Sequence, residues 1–431
     1  MGKKRTNTNK ELFDEALVYI PGGVNSPFRT FDLVGGYPVF MSKGSGSKVF
    51  DTESREYIDY SLGWGSVISG HANPLIQKTI KNVARTGWCF GTPTKEETLF
   101  AKKINEFFPS MEQVRLVNSG SEAIMVAIRL ARGYTKKDGL VLFGGCYHGQ
   151  LNDTLVKMQD NELVFTSAGI PQDVIKTTYL AEYNNITSVE NILKKRKNIA
   201  GVLIEPVPGN MGVVLPEENF LKHLQKLCKS YGVLLIFDEV ISGFGIYGGA
   251  QSHYNVFPDI TVLGKSLAGG LPVGAIGGSK EIMKNIAPLG NVYAAGTFSG
   301  NSMTVNAGLI NMDLLNNKNA ITKATNLSRG LCDSLKHFIS ENNLPVVINH
   351  VGQIFSFFFT SKESVRNEAD VQKSNFKTFA KFYHYLLSKG IYFSPSGEDT
   401  CFVSIMHSKE DIDYTISVIK SFFSQHLKYS E

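Results

Sequence analysis

From about Gln113 to Leu263 the chain repeats one pattern. Apolar, β-branched runs at Val114–Val117, Leu140–Phe143, Thr177–Leu180, Gly201–Ile204, Val233–Phe237 and Ile260–Leu263 alternate with stretches of helical periodicity. Runs of that length, apolar on both faces, stay dry only inside a mostly parallel sheet covered by helices on both sides. The expectation is therefore an α/β fold, with any ligand beyond the carboxyl ends of the strands.

The flanking segments read differently. Asn9–Tyr19 carries Leu12, Phe13, Ala16 and Leu17 at helical spacing, and Pro21-Gly22-Gly23 stops it. Tyr37–Phe40, Lys48–Asp51 and Tyr57–Asp59 read as short strands of a meander, and Pro74–Val83 as a helix. Ser302–Leu314 and a long run ending at Phe338 read as helices, with 315–319 the turn between them. Strands are expected again at Val346–Ile348, Ile354–Phe359 and Phe402–Ile405, before a last helix at Lys409–His426. This divides the chain into an N-terminal segment (1–59), a large domain (60–312) and a smaller α+β domain (313–431).

Composition excludes several functions. Forty-four basic and 39 acidic residues leave a net charge of only +5, with no basic block interleaved with aromatics, so no nucleic-acid partner is expected. No apolar run reaches the roughly 18 to 20 residues that span a bilayer, and no signal-peptide core is seen, so no membrane partner and a cytoplasmic location are expected. Five scattered cysteines form no C-x-x-C pair, and nine histidines form no H-E-x-x-H, so neither a disulfide framework nor a protein-bound metal is expected.

One lysine stands inside an apolar, glycine-rich run, Thr261-Val-Leu-Gly-Lys265-Ser-Leu-Ala-Gly-Gly. Burial favours its neutral form, and a neutral amine attacks carbonyl carbon. Other motifs fall at the same sheet edge. Asn118-Ser119-Gly120-Ser121-Glu122 opens a helix with a capping-box spacing and free amides suited to phosphate. Phe237-Asp238-Glu239-Val240 ends a hydrophobic strand in acids, one of which can pair with a protonated ring nitrogen. Tyr147 in Gly145-Cys-Tyr147-His148 offers a flat stacking face, and Asn210 after Glu205-Pro-Val-Pro-Gly209 an amide. Trp64, between glycines, and Arg29, whose fork suits a carboxylate, are substrate-side candidates. Taken singly, each is more often structural. Gly243-Phe-Gly245-Ile-Tyr-Gly248 also matches the G-x-G-x-x-G dinucleotide signature, but the residues from Gly249 to Pro258 read as a poor helix opening, which argues against a nicotinamide site.

The set, in this order, resembles the class III aminotransferases, and within them the glutamate-1-semialdehyde aminomutases, through Pro21–Pro27, Asn118–Ala123, Gly145–Gly149, Gly209–Met211, Phe237–Val240, Leu263–Lys265 and Gly296–Asn301. The resemblance implies fold type I, pyridoxal 5'-phosphate as cofactor, and a homodimer with its active sites at the subunit interface. It implies that Lys265 forms the Schiff base and Asp238 pairs with the ring nitrogen. Tyr147 and Val240 would sandwich the ring, Asn210 would contact its hydroxyl side, and Gly120, Ser121 and the partner's Thr297 would hold the phosphate. Arg29, Trp64 and Asp399 would contact a small-molecule amine or carbonyl substrate. The sequence departs from the aminomutase pattern in four places: a short, differently composed segment at Val156–Gly169, Asp399 for a glutamate, Ala294 for a glutamine and Gly144 for a glutamate. These departures favour transamination of another substrate, with glutamate-semialdehyde isomerisation to 5-aminolevulinate as the alternative.

Overall fold

In a computed structural model, which describes residues 8–160 and 162–427, seven strands form the central sheet. Their order is Gln113–Val117, Gly274–Gly278, Ile260–Leu263, Leu234–Asp238, Ile199–Ile204, Gly139–Phe143 and Thr178–Ala181. The last five pair in parallel. All six expected strands are present, and the fold is α/β. The seventh, Gly274–Gly278, runs antiparallel between Gln113–Val117 and Ile260–Leu263. Its sequence, Gly-Ala-Ile-Gly-Gly, has little strand propensity. Contact explains it: a Cβ on Gly274 would lie 2.1 Å from the Ser119 carbonyl oxygen, and one on Gly278 2.6 Å from that of Asp259. Only bare backbone fits between these neighbours.

Two smaller sheets flank this one. Met41–Ser45, Lys48–Asp51 and Glu56–Asp59 form the N-terminal meander, and Ile391–Tyr392 from the far end of the chain joins it in parallel. None of Tyr37–Phe40 is a strand: the Phe40 amide donates to the Asn9 side chain at 2.7 Å, and the first strand is Met41–Ser45. Val346–Val351, Ile354–Phe359 and Cys401–Phe402 make the second sheet. One core, with Phe355, Phe382, Phe393 and Phe423, binds this C-terminal part to Phe31, Val34, Ile58 and Tyr60 of the N-terminal part. Burying each such phenylalanine is worth roughly 1.5–3 kcal/mol. Residues Val156–Gln159 and Glu162–Phe165, not expected as strands, pair as an antiparallel hairpin.

The helices follow their signals. Asn9–Tyr19, Pro74–Val83, Ser302–Leu315, Lys318–Glu341 and Lys409–His426 lie where periodicity placed them. Thr8 closes a reciprocal capping box on the first, and Ser408 on the last.

Candidate active site

The motifs meet at the carboxyl edge of the central sheet. Strand Ile260–Leu263 delivers Gly264 and then Lys265, whose φ of +43° is unusual for a residue with a side chain. Close contact accompanies it: a Cβ on Gly264 would sit 3.2 Å from Gly120 Cα and 3.3 Å from the Val240 side chain. The lysine backbone is thus drawn against the helix that Gly120 begins. Burial pushes the Lys265 amine below its ordinary range, while the nearby carboxylates of Glu205, Asp399 and Asp238 pull it partly back.

Helix Gly120–Thr135 presents its N-terminus here. Ser119 caps it, its hydroxyl accepting the Glu122 amide at 3.1 Å. The reciprocal half of the expected box shifts by one residue, because Glu122 accepts from the Asn118 backbone at 2.8 Å and its side chain at 3.0 Å. Gly149, at φ +82°, approaches so closely that a Cβ there would lie 2.4 Å from Ser121 Oγ.

Asp238 ends the Leu234–Asp238 strand. One of its oxygens accepts the Val240 amide at 3.1 Å, and the other lies 2.8 Å from His148 Nδ1. Tyr147, which precedes His148, is 40% exposed, with its ring edge-on to Phe28 at 6.1 Å. Glu205, at the end of the next strand, ties three groups together. Its carboxylate accepts the Tyr147 amide at 2.7 Å, the Gly209 amide at 2.9 Å and the Asn210 side chain at 3.2 Å. Burial raises the Glu205 carboxyl, and repulsion from Asp238 adds to it. The sequence motifs by themselves mark neither Glu205 nor His148. An acid that follows an all-buried strand must find donors, and that was the available signal.

Arg29 and Asp399 both meet Trp64. The guanidinium carbon stands 5.9 Å from the indole centroid, and the indole N–H donates to Asp399 at 3.3 Å. Burial raises the Asp399 carboxyl, opposed by that bond and by Lys265. Arg29 and Trp64 border a cavity of about 540 Å³ that Asp59, Ser61 and His71 also line. Trp64 belongs to a turn in which Leu62, Gly63, Trp64 and Gly65 take φ of +47°, +58°, +55° and +78° in succession. Left-handed backbone costs roughly 1–2 kcal/mol per residue other than glycine.

Thr297 lies apart, in a groove with Trp88, Phe90 and Gly296. Gly144 stands against Glu368, whose carboxylate oxygen would be 2.4 Å from a Cβ there. The dinucleotide-like segment corrects one expectation, since Gly249–Tyr254 does form a short helix. Its N-terminus is already filled: Glu239 accepts the Ala250 and Gln251 amides at 2.7 and 3.0 Å.

The class-III aminotransferase family profile matches residues 34–423. The glutamate-1-semialdehyde 2,1-aminomutase of Persephonella marina is 46% identical over 96% of this chain and 98% of its own length. That of Clostridium kluyveri is 44% identical over 96% and 100%. Among solved structures, an omega-transaminase from Sphaerobacter thermophilus superposes with a TM-score of 0.90 at 30% identity, covering 98% of both chains. A Pseudomonas aeruginosa glutamate-1-semialdehyde aminomutase with PMP gives 0.88 at 23% identity, covering 96% of this chain and 94% of its own.

Proposed function

Since this chain belongs to the class-III aminotransferase family, a family of pyridoxal-phosphate enzymes of fold type I, we propose that it carries an amino group from a carboxylate-bearing amine donor to a separate carbonyl acceptor. The residues present fit the cofactor. A capped helix N-terminus, a buried acid, an exposed aromatic face and an amine of lowered basicity converge on one edge, and glycines 120, 149 and 264 leave no room for side chains in between.

Pyridoxal phosphate supplies an electrophilic carbon and a ring that stores the electrons freed when a proton leaves the substrate. Gly120, Ser121 and the helix amides hold the phosphate. Asp238, fixed by His148 and the Val240 amide, keeps a proton on the ring nitrogen. Tyr147 and Val240 would cover the ring and Asn210 would meet its hydroxyl side, while Glu205 fixes Tyr147 and Asn210 relative to each other. Lys265, its amine made less basic by burial, carries the proton to and from the substrate carbon. Arg29 binds the donor carboxylate beside Trp64 and Asp399.

The observation that carries this reading is the neighbourhood in which half-buried Lys265 and Asp399 stand with the buried carboxylates of Asp238 and Glu205. Release of both products is supported by Gly144, Ala294 and the short hairpin. The second reading, isomerisation of glutamate-1-semialdehyde, is favoured by the names and full-length identity of the two curated relatives. A homodimer, with Thr297 reaching the neighbouring site, is supported by the exposed Trp88, Phe90, Tyr293 and Phe298 around that loop. A cytoplasmic location fits the absence, among the described residues, of a helix long and apolar enough to cross a membrane. The shared core of the N- and C-terminal parts favours grouping 1–59 with 313–431 around the domain of 60–312.

The test is a screen of amino acids and amines by visible absorbance. Conversion by a donor is expected, with matching release of its carbonyl product, and Lys265→Ala should lower the rate by about 10²–10⁴. Sustained 5-aminolevulinate formation from glutamate-1-semialdehyde alone would establish isomerisation instead.

A further inference from the structure

The turn that carries Trp64 is held by its own backbone bonds and by one carboxylate that precedes it. Leu62 and Trp64 both take the left-handed conformation that disfavours side chains, and they stand in a run of four such residues. Within the turn, the Gly65 amide donates to the Ser61 carbonyl at 3.1 Å, Ser66 to Gly63 at 3.3 Å and Val67 to Leu62 at 3.2 Å. Its first two amides are satisfied from outside, by one carboxylate oxygen. Asp59 Oδ1 accepts Ser61 N at 2.8 Å and Leu62 N at 3.0 Å. The other oxygen, Oδ2, meets His71 Nε2 at 2.7 Å. Gly44 makes space for that imidazole, since a Cβ there would lie 2.7 Å from His71 Cγ.

Asp59 is 3% exposed, and its two oxygens have separate tasks: one winds the turn and the other is held by the imidazole. The far end of the turn is fixed by shape, because a Cβ on Gly65 would be 2.4 Å from the Phe402 ring. Between these ends the indole meets Arg29 and Asp399.

We propose that Asp59, oriented by His71, is a positioning residue that keeps the Leu62–Gly65 turn left-handed and thereby sets the Trp64 indole between Arg29 and Asp399, so that the enzyme selects carboxylate-bearing amines. This rests on the reading of Arg29 and Trp64 as the substrate wall. Asp59 itself does not touch the reacting atoms. Without its carboxylate, Ser61 and Leu62 lose the acceptor for their amides, the backbone relaxes toward negative φ, and the indole leaves both partners.

Trp64 and Trp88 are the two tryptophans of the chain, so holoenzyme carrying Trp88→Phe reports on Trp64 alone. Asp59→Ala should shift its emission to the red and increase quenching by acrylamide. Asp59→Asn, which retains an oxygen for the two amides, should restore most of the parent spectrum. With a carboxylate-bearing donor from the screen, Asp59→Ala should raise KM roughly tenfold with kcat nearly held, while KM for the decarboxylated amine stays put. In a Trp64→Ala background the same change should add less than about twofold. Where Asp59→Ala does not accumulate as folded protein, His71→Ala should give the same changes in smaller degree. Unchanged Trp64 emission overturns the inference, as does a full added penalty in the Trp64→Ala background. A shifted emission with unchanged KM, while Arg29→Ala still raises KM, overturns the inference and spares the function. If neither variant alters carboxylate preference, the proposed substrate wall falls, and the inference with it.

Discussion

Lys265 is set by a balance of opposing terms on one amine. Burial removes water from the ammonium and lowers its pKa, and three carboxylates restore part of the loss. Removing one of those charges should therefore lower the pKa further. In Asp399→Asn, the pH at which the amine captures the aldehyde cofactor should move to lower values than in the parent, because less alkali is needed to free the lone pair. Stopped-flow absorbance of apoenzyme mixed with cofactor across a pH series measures this, and a shift toward higher pH would contradict the assigned neighbourhood. Asp399 lies 134 residues from Lys265 in the chain, so their interaction could be inferred from sequence only through a family pattern.

At the scale of elements, the helix Gly120–Thr135 has two separable features at its start. Ser119 satisfies a backbone amide, and Ser119→Ala should cost about 1 kcal/mol of stability while sparing cofactor affinity. Gly149 instead controls how near the adjoining loop comes. In Gly149→Ala the added Cβ would meet Ser121 Oγ at 2.4 Å, which a side-chain rotation relieves, but also Ser121 Cβ at 2.7 Å and Cα at 2.9 Å, which no rotation moves. Cofactor affinity should fall roughly tenfold or more, as a displaced set of amides loses its hold on phosphate. Urea unfolding of the first variant and equilibrium cofactor titration of the second separate the two effects. The capping pattern was legible in Ser119 and Glu122. The value of Gly149 was not, because it depends on which residue lies opposite.

The N- and C-terminal parts of the molecule are joined by a core that contains a titratable group. His407 is buried, its ring 4.8 Å from that of Tyr60, and its Nδ1 accepts the Ser404 amide at 3.0 Å. Burial lowers its pKa from 6.5 to about 4, against the pull of Asp411 and Asp59. The unfolded chain takes up this proton as pH falls below 6.5, and the folded chain does so only near 4. Stability from this residue is thus complete above 6.5 and declines toward pH 4 by about 3 kcal/mol in total. His407→Asn, which offers an acceptor to the Ser404 amide without that proton, should flatten this part of the profile. Urea midpoints between pH 7 and pH 4 measure it, and an equally steep decline in the variant would assign the loss to other groups.

Local pattern in the sequence determined the α/β fold, the six sheet strands with dense β-branched runs, the capped helices and the motifs that meet at the strand ends. Each of these depends on residues close together in the chain, where periodicity and turn chemistry act directly. The tertiary structure decided the glycine strand Gly274–Gly278, the carboxylate of Glu205 linking Tyr147 to Asn210, and the His71–Asp59 support beneath a left-handed Trp64 turn. Those features depend on which surfaces are pressed together: a glycine is required only where another backbone occupies the space of its missing side chain, and a buried acid is tolerated only where distant donors surround it. Lys265 belongs to both accounts. Its apolar setting was visible in the sequence, while the three carboxylates that tune it come from two strand ends and a distant loop that only folding brings to its side.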